Sequence, residues 1–316
     1  MQKPIKPPAL RSGDAVRVLS LASPVKEEFL QRGCEEIARL GFTPRAGLPS
    51  LLAREGYFAG SAEARRAALE EALADFGTRA IFCSRGGYGA NYLLDGLRVD
   101  AASPKILLGA SDITSLQIYL WQKFGWVVFY GPMVATSFNQ GPGAPHGYVR
   151  GSLLRALTET RAGWPIDLQG ESLVADQCGG QCEGVLLGGC LTLIETMLGT
   201  PWELGTEGAI LLLEDRGMKP YQVDRALMHL KQAGKFRGVK GMVLGEFPDC
   251  EAAPGDETVK DIARRILAPL GVPILWGAPV GHTVRPMLTL PLGVRAELSS
   301  ADRGVLRILE PACASS

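Results

Sequence analysis

Through the first half of the chain, short apolar segments alternate with segments of helical periodicity. Residues 16–21, 79–83, 105–108 and 126–130 are apolar runs of strand length. Residues 27–40, 62–76, 88–94 and 112–123 carry helical spacing, and the first two stop at Gly41 and Gly77. Glycine closes helices readily because it accepts a left-handed backbone. Strands linked by helices pair in parallel, since a parallel connection needs a long crossover. Unbroken apolar runs, rather than alternating ones, fit a sheet covered on both faces. The expected fold class is therefore α/β, with a parallel sheet in the N-terminal part.

The second half has strand-like runs at 185–187, 209–213, 242–244 and 272–276, and helical spacing over 190–198, 223–233 and 258–267. Its tail differs. Residues 287–290, 294–298 and 305–309 are short apolar runs separated by Gly, Ser and Asp, a spacing that predicts antiparallel strands. Residues 160–184 are polar, glycine-rich and poorly periodic, as a linker would be. The expectation is an N-terminal α/β domain over 1–165, a linker over 166–183, and a C-terminal mixed α/β domain with antiparallel strands over 184–316. The 316 residues suit two domains of roughly 100–200 residues each.

Lys plus Arg equals Asp plus Glu, at 33 each. Nucleic-acid binders usually carry a basic excess against phosphates, so no nucleic-acid partner is expected. Prolines and charges interrupt the N-terminus before any apolar run forms, unlike a signal peptide. No segment reaches the ~20 apolar residues that cross a bilayer. A soluble, cytoplasmic protein without a membrane partner is expected. The seven cysteines are odd in number, which argues against a disulfide scaffold. Cys178, Cys182 and Cys190 cluster, but no histidine lies near them, so free thiols rather than a metal site are expected.

Four segments are able to carry chemistry. In Lys105–Thr114 an apolar run meets Gly109, and helical spacing begins just after Ser111. A serine on a tight strand-to-helix turn exposes its hydroxyl beside the N–H groups of a helix start. Ile113 replaces the second glycine of a full Gly-x-Ser-x-Gly elbow, and Ser-Asp before a helix equally describes an N-cap. Ser84-Arg85-Gly86-Gly87-Tyr88-Gly89 also follows an apolar run. Its glycines allow close backbone approach to an anion, an oxyanion or a carboxylate, or form a structural turn. It lacks the P-loop and dinucleotide spacings. Arg85 is a candidate for a bidentate carboxylate contact. Leu211-Leu212-Leu213-Glu214-Asp215 ends an apolar strand in two carboxylates, either of which could orient a histidine. Of the three histidines, His146 lies in a Gly/Pro-rich loop, His229 in a helix, and His282 after a strand and Gly281. His282 has the placement of a general base or of a hydrogen-bonded loop residue.

Taken together, these segments resemble the LD-carboxypeptidases, the serine peptidases that include the microcin-immunity type. The resemblance is carried by Ser84–Gly89, Gly109–Thr114, Tyr130-Gly131-Pro132-Met133, Leu187-Gly188-Gly189-Cys190-Leu191, Gly199-Thr200, Leu213-Glu214-Asp215, Tyr221-x-Val-Asp224-Arg225 and Gly281-His282, in order from about 15 to 300. It implies an N-terminal flavodoxin-like domain carrying Ser111 as nucleophile, and a C-terminal domain carrying Glu214 as acid and His282 as base. It also implies a murein tetrapeptide substrate losing its terminal D-Ala, with a peptide–nucleotide antibiotic as the alternative. No cofactor is expected, and a homodimer is. The amides of Asp112 and of the Gly86-Gly87 turn are expected to hold the oxyanion. Cys190 departs from the pattern, which usually has Asn there. Two rivals share parts of this layout: a two-lobed, non-catalytic ligand-binding protein, and an α/β-hydrolase esterase with the same Ser, acid, His order.

Overall fold

A computed structural model describes residues 3–174 and 180–315. The first five strands are β1 (Ala15–Leu19), β2 (Thr43–Arg45), β3 (Thr78–Cys83), β4 (Ile106–Gly109) and β5 (Val128–Tyr130). Then follow β6 (Trp164–Asp167), β7 (Glu171–Ser172), β8 (Gln181–Cys190), β9 (Ala209–Glu214), β10 (Gly241–Leu244) and β11 (Ile274–Trp276). The tail holds β12 (Leu290–Leu292), β13 (Arg295–Ser299) and β14 (Val305–Ile308).

The first sheet runs β2-β1-β3-β4-β5 in parallel, the flavodoxin-like order, with β12 added antiparallel to β5. In such sheets ligands bind outside the carboxyl ends of the strands, near the point where the strand order reverses. Here that point lies between β1 and β3. The second sheet runs β6-β14-β13-β8-β9-β10-β11-β7. Its strands β8 to β11 are parallel and the others antiparallel. The expected class, a parallel sheet followed by a mixed one, is the class observed.

Packing explains why the apolar runs become strands. Every residue of β4, β5 and β9 is buried, and Leu211, Leu212 and Leu213 are fully enclosed. Each such leucine contributes about 1.5–3 kcal/mol by leaving water. Helix Thr114–Phe124 buries its first eight residues, because it lies between the two sheets and contacts β5, β8 and the helix Leu191–Thr196.

Three local expectations change. The stretch read as linker contains β6 and β7, which are edge strands of the second sheet. β6 does alternate buried and exposed residues, but Pro165 masks it as a strand, and proline is tolerated there because the strand is an edge. The strand expected at 287–290 forms at Leu290–Leu292 and joins the first sheet, so the two sheets do not divide the chain at one point. The helix expected at 88–94 is only a single 3₁₀ turn, Ala90–Leu93.

Candidate active site

β4 ends at Gly109, where a Cβ would come within 2.9 Å of Ile113 Cγ2. Ala110 is extended, and Ser111 then takes φ 61°, in the left-handed region. A serine held there costs about 1–3 kcal/mol and persists only where its surroundings enforce it. The chain goes directly into a 3₁₀ turn and the helix Thr114–Phe124. The N-cap reading fails, because neither helix start is capped by a side chain.

The glycine turn after β3 packs onto this serine. A Cβ on Gly86 would lie 2.7 Å from Ser111 Cβ and 3.3 Å from the Asp112 amide nitrogen. Gly87, at φ 110°, faces Ser23, whose hydroxyl would be 2.2 Å from an added Cβ. The same hydroxyl accepts from Tyr88 N at 3.2 Å. Arg85 is exposed and donates to the Pro24 carbonyl at 3.3 Å. Behind the turn, the guanidinium of buried Arg65 donates to the Leu21 and Gly89 carbonyls, both at 2.7 Å. Burial pushes the Asp112 carboxyl up to about 6, against the opposing pull of the Ala90 amide and Arg65. Its Oδ2 accepts from Ala90 N at 2.7 Å, while Oδ1 is buried without a partner.

Glu214 ends β9 with no exposed surface. Its Oε2 accepts from the His282 amide at 2.7 Å and from His282 Nδ1 at 2.9 Å. Its Oε1 accepts from the Tyr130 hydroxyl at 2.5 Å. The loop reaches the carboxylate because Gly281 has no side chain: a Cβ there would sit 2.2 Å from Glu214 Cδ. Burial pushes the Glu214 carboxyl up, but the charge of His282 and three hydrogen bonds outweigh it and hold the pKa below its ordinary value. Burial pulls His282 down, but its attraction and hydrogen bond to Glu214 prevail and hold it above the ordinary histidine value. A carboxylate on Nδ1 places the ring proton there and leaves the Nε2 lone pair outward.

Asp215, the other carboxylate of the pair, faces away from His282. Its Oδ2 accepts from Thr192 N at 2.8 Å and from Cys190 Sγ at 3.5 Å, at the start of the helix Leu191–Thr196. Cys190 is buried, and burial and the two neighbouring carboxylates hold its thiol neutral, well above its ordinary pKa. It therefore serves as a hydrogen-bond donor to Asp215. Cys178 lies outside the described residues. Among the described residues, no group of three His, Cys, Asp or Glu could hold a metal ion.

The structure thus joins Glu214 to His282 directly, and joins Ser111 to both through Tyr130, whose hydroxyl accepts from Ser111 N at 3.2 Å. Among the described residues no hydrogen bond links the Ser111 hydroxyl to the His282 ring; contacts of this kind commonly tighten only with substrate. Of the other histidines, His229 pairs with Glu195 on the surface, and His146 bonds the Thr283 carbonyl beside the His282 loop. Sequence reasoning missed the roles of Tyr130 and Arg65. Tyr130 sat in a quoted motif, but its hydroxyl closes an apolar strand and finds its partner 84 positions away.

A serine in a strained elbow and a half-buried histidine held on a buried carboxylate, set between two α/β sheets, is the layout of a serine hydrolase. Sequence models of the LD-carboxypeptidase N-terminal and C-terminal domains match residues 16–131 and 183–298. The chain belongs to the LD-carboxypeptidase family and is a serine carboxypeptidase. It is 32% identical over 273 residues to the murein tetrapeptide carboxypeptidase of Pseudomonas aeruginosa, covering 84% of this chain and 87% of that protein. It is similar in structure to a muramoyltetrapeptide carboxypeptidase from Oxalobacter formigenes, with a TM-score of 0.81 and 27% identity over 96% of this chain and 100% of that one. The microcin C7 self-immunity protein MccF, solved with aspartyl sulfamoyl adenosine, gives a TM-score of 0.87 at 26% identity, over 98% of this chain and 100% of that one. Family membership sets aside the non-catalytic binding protein and the α/β-hydrolase esterase. Among the described residues, no helix is long and apolar enough to cross a membrane.

Proposed function

We propose that the chain hydrolyses the bond to the C-terminal D-Ala of murein tetrapeptides, with Ser111 as nucleophile, His282 as base and Glu214 as the residue that orients the base. The observation that carries this reading is the buried Glu214 carboxylate accepting both His282 Nδ1 and the His282 amide. Two bonds from one residue to one oxygen fix the ring's orientation and its tautomer, the role of the acid in a catalytic triad.

In the proposed sequence, His282 Nε2 takes the proton of Ser111 as Oγ attacks the carbonyl before the terminal residue. The tetrahedral oxyanion is held by the Asp112 amide and the Gly86-Gly87 turn, both next to Ser111. His282 then gives the proton to the leaving amine and activates the water that releases the acyl group. Removing one oxyanion donor typically costs roughly 3–4 kcal/mol of barrier. Arg85, exposed beside the same turn, is proposed to pair with the substrate's free carboxylate. If so, Arg85→Ala raises KM for a free-acid peptide and leaves an amidated one unaffected.

A peptide–nucleotide substrate is the second reading, favoured by the higher TM-score to MccF with aspartyl sulfamoyl adenosine. Sequence identity to the Pseudomonas aeruginosa enzyme, at 32% against 26%, favours murein peptide. Purified protein offered L-Ala-γ-D-Glu-diaminopimelate-D-Ala and aspartyl sulfamoyl adenosine separates the two. Faster turnover of the nucleotide would replace the first reading by the second. The proposal includes a cytoplasmic site of action and a homodimer; a sedimentation mass near one chain's 33.8 kDa would contradict the dimer.

A further inference from the structure

Tyr130 is the last residue of β5 and has no exposed surface. Strand pairing sets it opposite Gly109 on β4, two residues before Ser111, and opposite Leu290 on β12. From there its hydroxyl accepts from Ser111 N at 3.2 Å and donates to Glu214 Oε1 at 2.5 Å. With Glu214 ionised, only the tyrosine has a proton to share. Burial first, and the Glu214 charge second, raise its pKa well above the ordinary tyrosine value, so the hydroxyl stays protonated. The ring's place is crowded: a Cβ on Gly189 would lie 3.2 Å from Tyr130 Cε2 and 2.8 Å from Thr114.

Two consequences follow from these bonds. The Ser111 amide, held in its left-handed turn, is committed to Tyr130. The Glu214 carboxylate is fixed at both oxygens, Oε1 by Tyr130 and Oε2 by His282. A single hydroxyl thus joins the backbone of the elbow, on the first sheet, to the carboxylate that carries the histidine, on the second. Besides Glu214, the titratable group acting on it is Cys190 on β8; Asp215 acts in turn on Cys190 and His282, and Arg216 on His282.

We infer that Tyr130 is a positioning residue: its hydroxyl fastens Ser111 to Glu214 across the two sheets and so sets the spacing between nucleophile and base. The inference rests on the roles proposed above for Ser111, His282 and Glu214. Being fully enclosed, Tyr130 touches no substrate, so it acts on turnover and not on binding.

The test is Tyr130→Phe in the full-length protein, assayed for D-Ala release. kcat falls about 10–100-fold, the scale of a small misplacement of reacting groups, while KM stays within about twofold. The acid limb of kcat/KM moves to higher pH, because Glu214 without its donor is a stronger acceptor and holds the imidazolium more tightly. Loss of packing alone would lower the melting temperature but would not move that limb. Replacing Tyr130 by 3-fluorotyrosine keeps the hydroxyl and makes it a better donor. It retains most of kcat and shifts the limb to lower pH, and it remains informative should Tyr130→Phe fail to fold. An unmoved limb and unchanged kcat in Tyr130→Phe, or an unmoved limb with fluorotyrosine, overturns the inference. Ser111→Ala and Glu214→Gln run alongside: if both lose activity while Tyr130→Phe does not, only the role of Tyr130 is wrong. If both keep the wild-type rate, the underlying reading fails and the inference with it.

Discussion

Gly86 lies so close to Ser111 that a Cβ on it would stand 2.7 Å from the serine's Cβ and 2.9 Å from its Oγ. The turn after β3 and the elbow after β4 therefore form one surface, and a methyl group would push them apart. Gly86→Ala is expected to lower kcat/KM by roughly 10²-fold or more if the turn supplies an oxyanion donor. Overpacking adds about 1–3 kcal/mol of destabilisation. Gly151→Ala is the control, since a Cβ there meets nothing within 4 Å. It should leave kinetics unchanged and gain up to about 1 kcal/mol of helix stability. Equal behaviour of the two variants in urea melts and D-Ala release would contradict the close contact.

The Glu214–His282 pair predicts a pH profile. As the proposed base, His282 must be neutral to act, and its pKa lies above the ordinary histidine value, so kcat/KM should fall as pH drops through a midpoint above about 6.5. In Glu214→Gln the attraction is gone while burial remains, and the midpoint should move below the ordinary value. The raised His282 contributes stability that is full below about pH 6.5 and is lost as pH rises through its folded-state value, whereas the lowered Glu214 carboxyl contributes stability that is lost as pH falls through its own. With only three histidines in the chain, NMR titration reads His282 directly. A His282 midpoint below the ordinary histidine value of about 6.5 in the wild type would contradict the pairing.

Asp112 predicts the opposite dependence on pH from most carboxyls. Its folded-state pKa is pushed up to about 6, above the unfolded value of about 3.9, so the folded chain binds the extra proton between them. Its contribution to stability is then greatest below pH 4 and declines by roughly 3 kcal/mol as pH rises through 6. Asp112→Asn can still accept from the Ala90 amide and should lack this decline. Parallel slopes of unfolding free energy against pH in the two proteins would show that Asp112 is ionised throughout.

The loop carrying His282 is tethered by Glu246. Its carboxylate accepts from the Thr283 hydroxyl at 2.5 Å, the Val284 amide at 3.0 Å and the Arg285 guanidinium. Glu246→Ala leaves three donors without their acceptor beside His282. It should cost about 1–3 kcal/mol of stability and lower kcat more than it raises KM. A variant with a lower melting temperature but unchanged kcat would show that the tether does not reach the histidine.

What was legible in the sequence follows from how local each feature is. The elbow at Ser111 and the carboxylate at Glu214 both mark the end of an apolar strand, and a strand end can be seen within five residues. The parallel first sheet could be read from the alternation of runs. β2, with the sequence Thr-Pro-Arg and no buried residue, carried no strand signal, because its place comes from pairing with β1 alone. β12 looked like a partner for the tail, and its period gives a buried face but not the strand it will meet. The Tyr130–Glu214 bond is equally invisible, since it depends on how the two sheets pack. The residues alone left Glu214 and Asp215 open as partner of His282; the resemblance pointed to Glu214, and the bare Gly281 is what lets the loop reach it.

Release of D-Ala from L-Ala-γ-D-Glu-diaminopimelate-D-Ala, by wild type and Ser111→Ala side by side, tests the central claim most directly. Release by the wild type alone is the predicted result. Release at equal rates by both would contradict it, leaving Ser111 as part of a turn and the hydrolysis to another nucleophile.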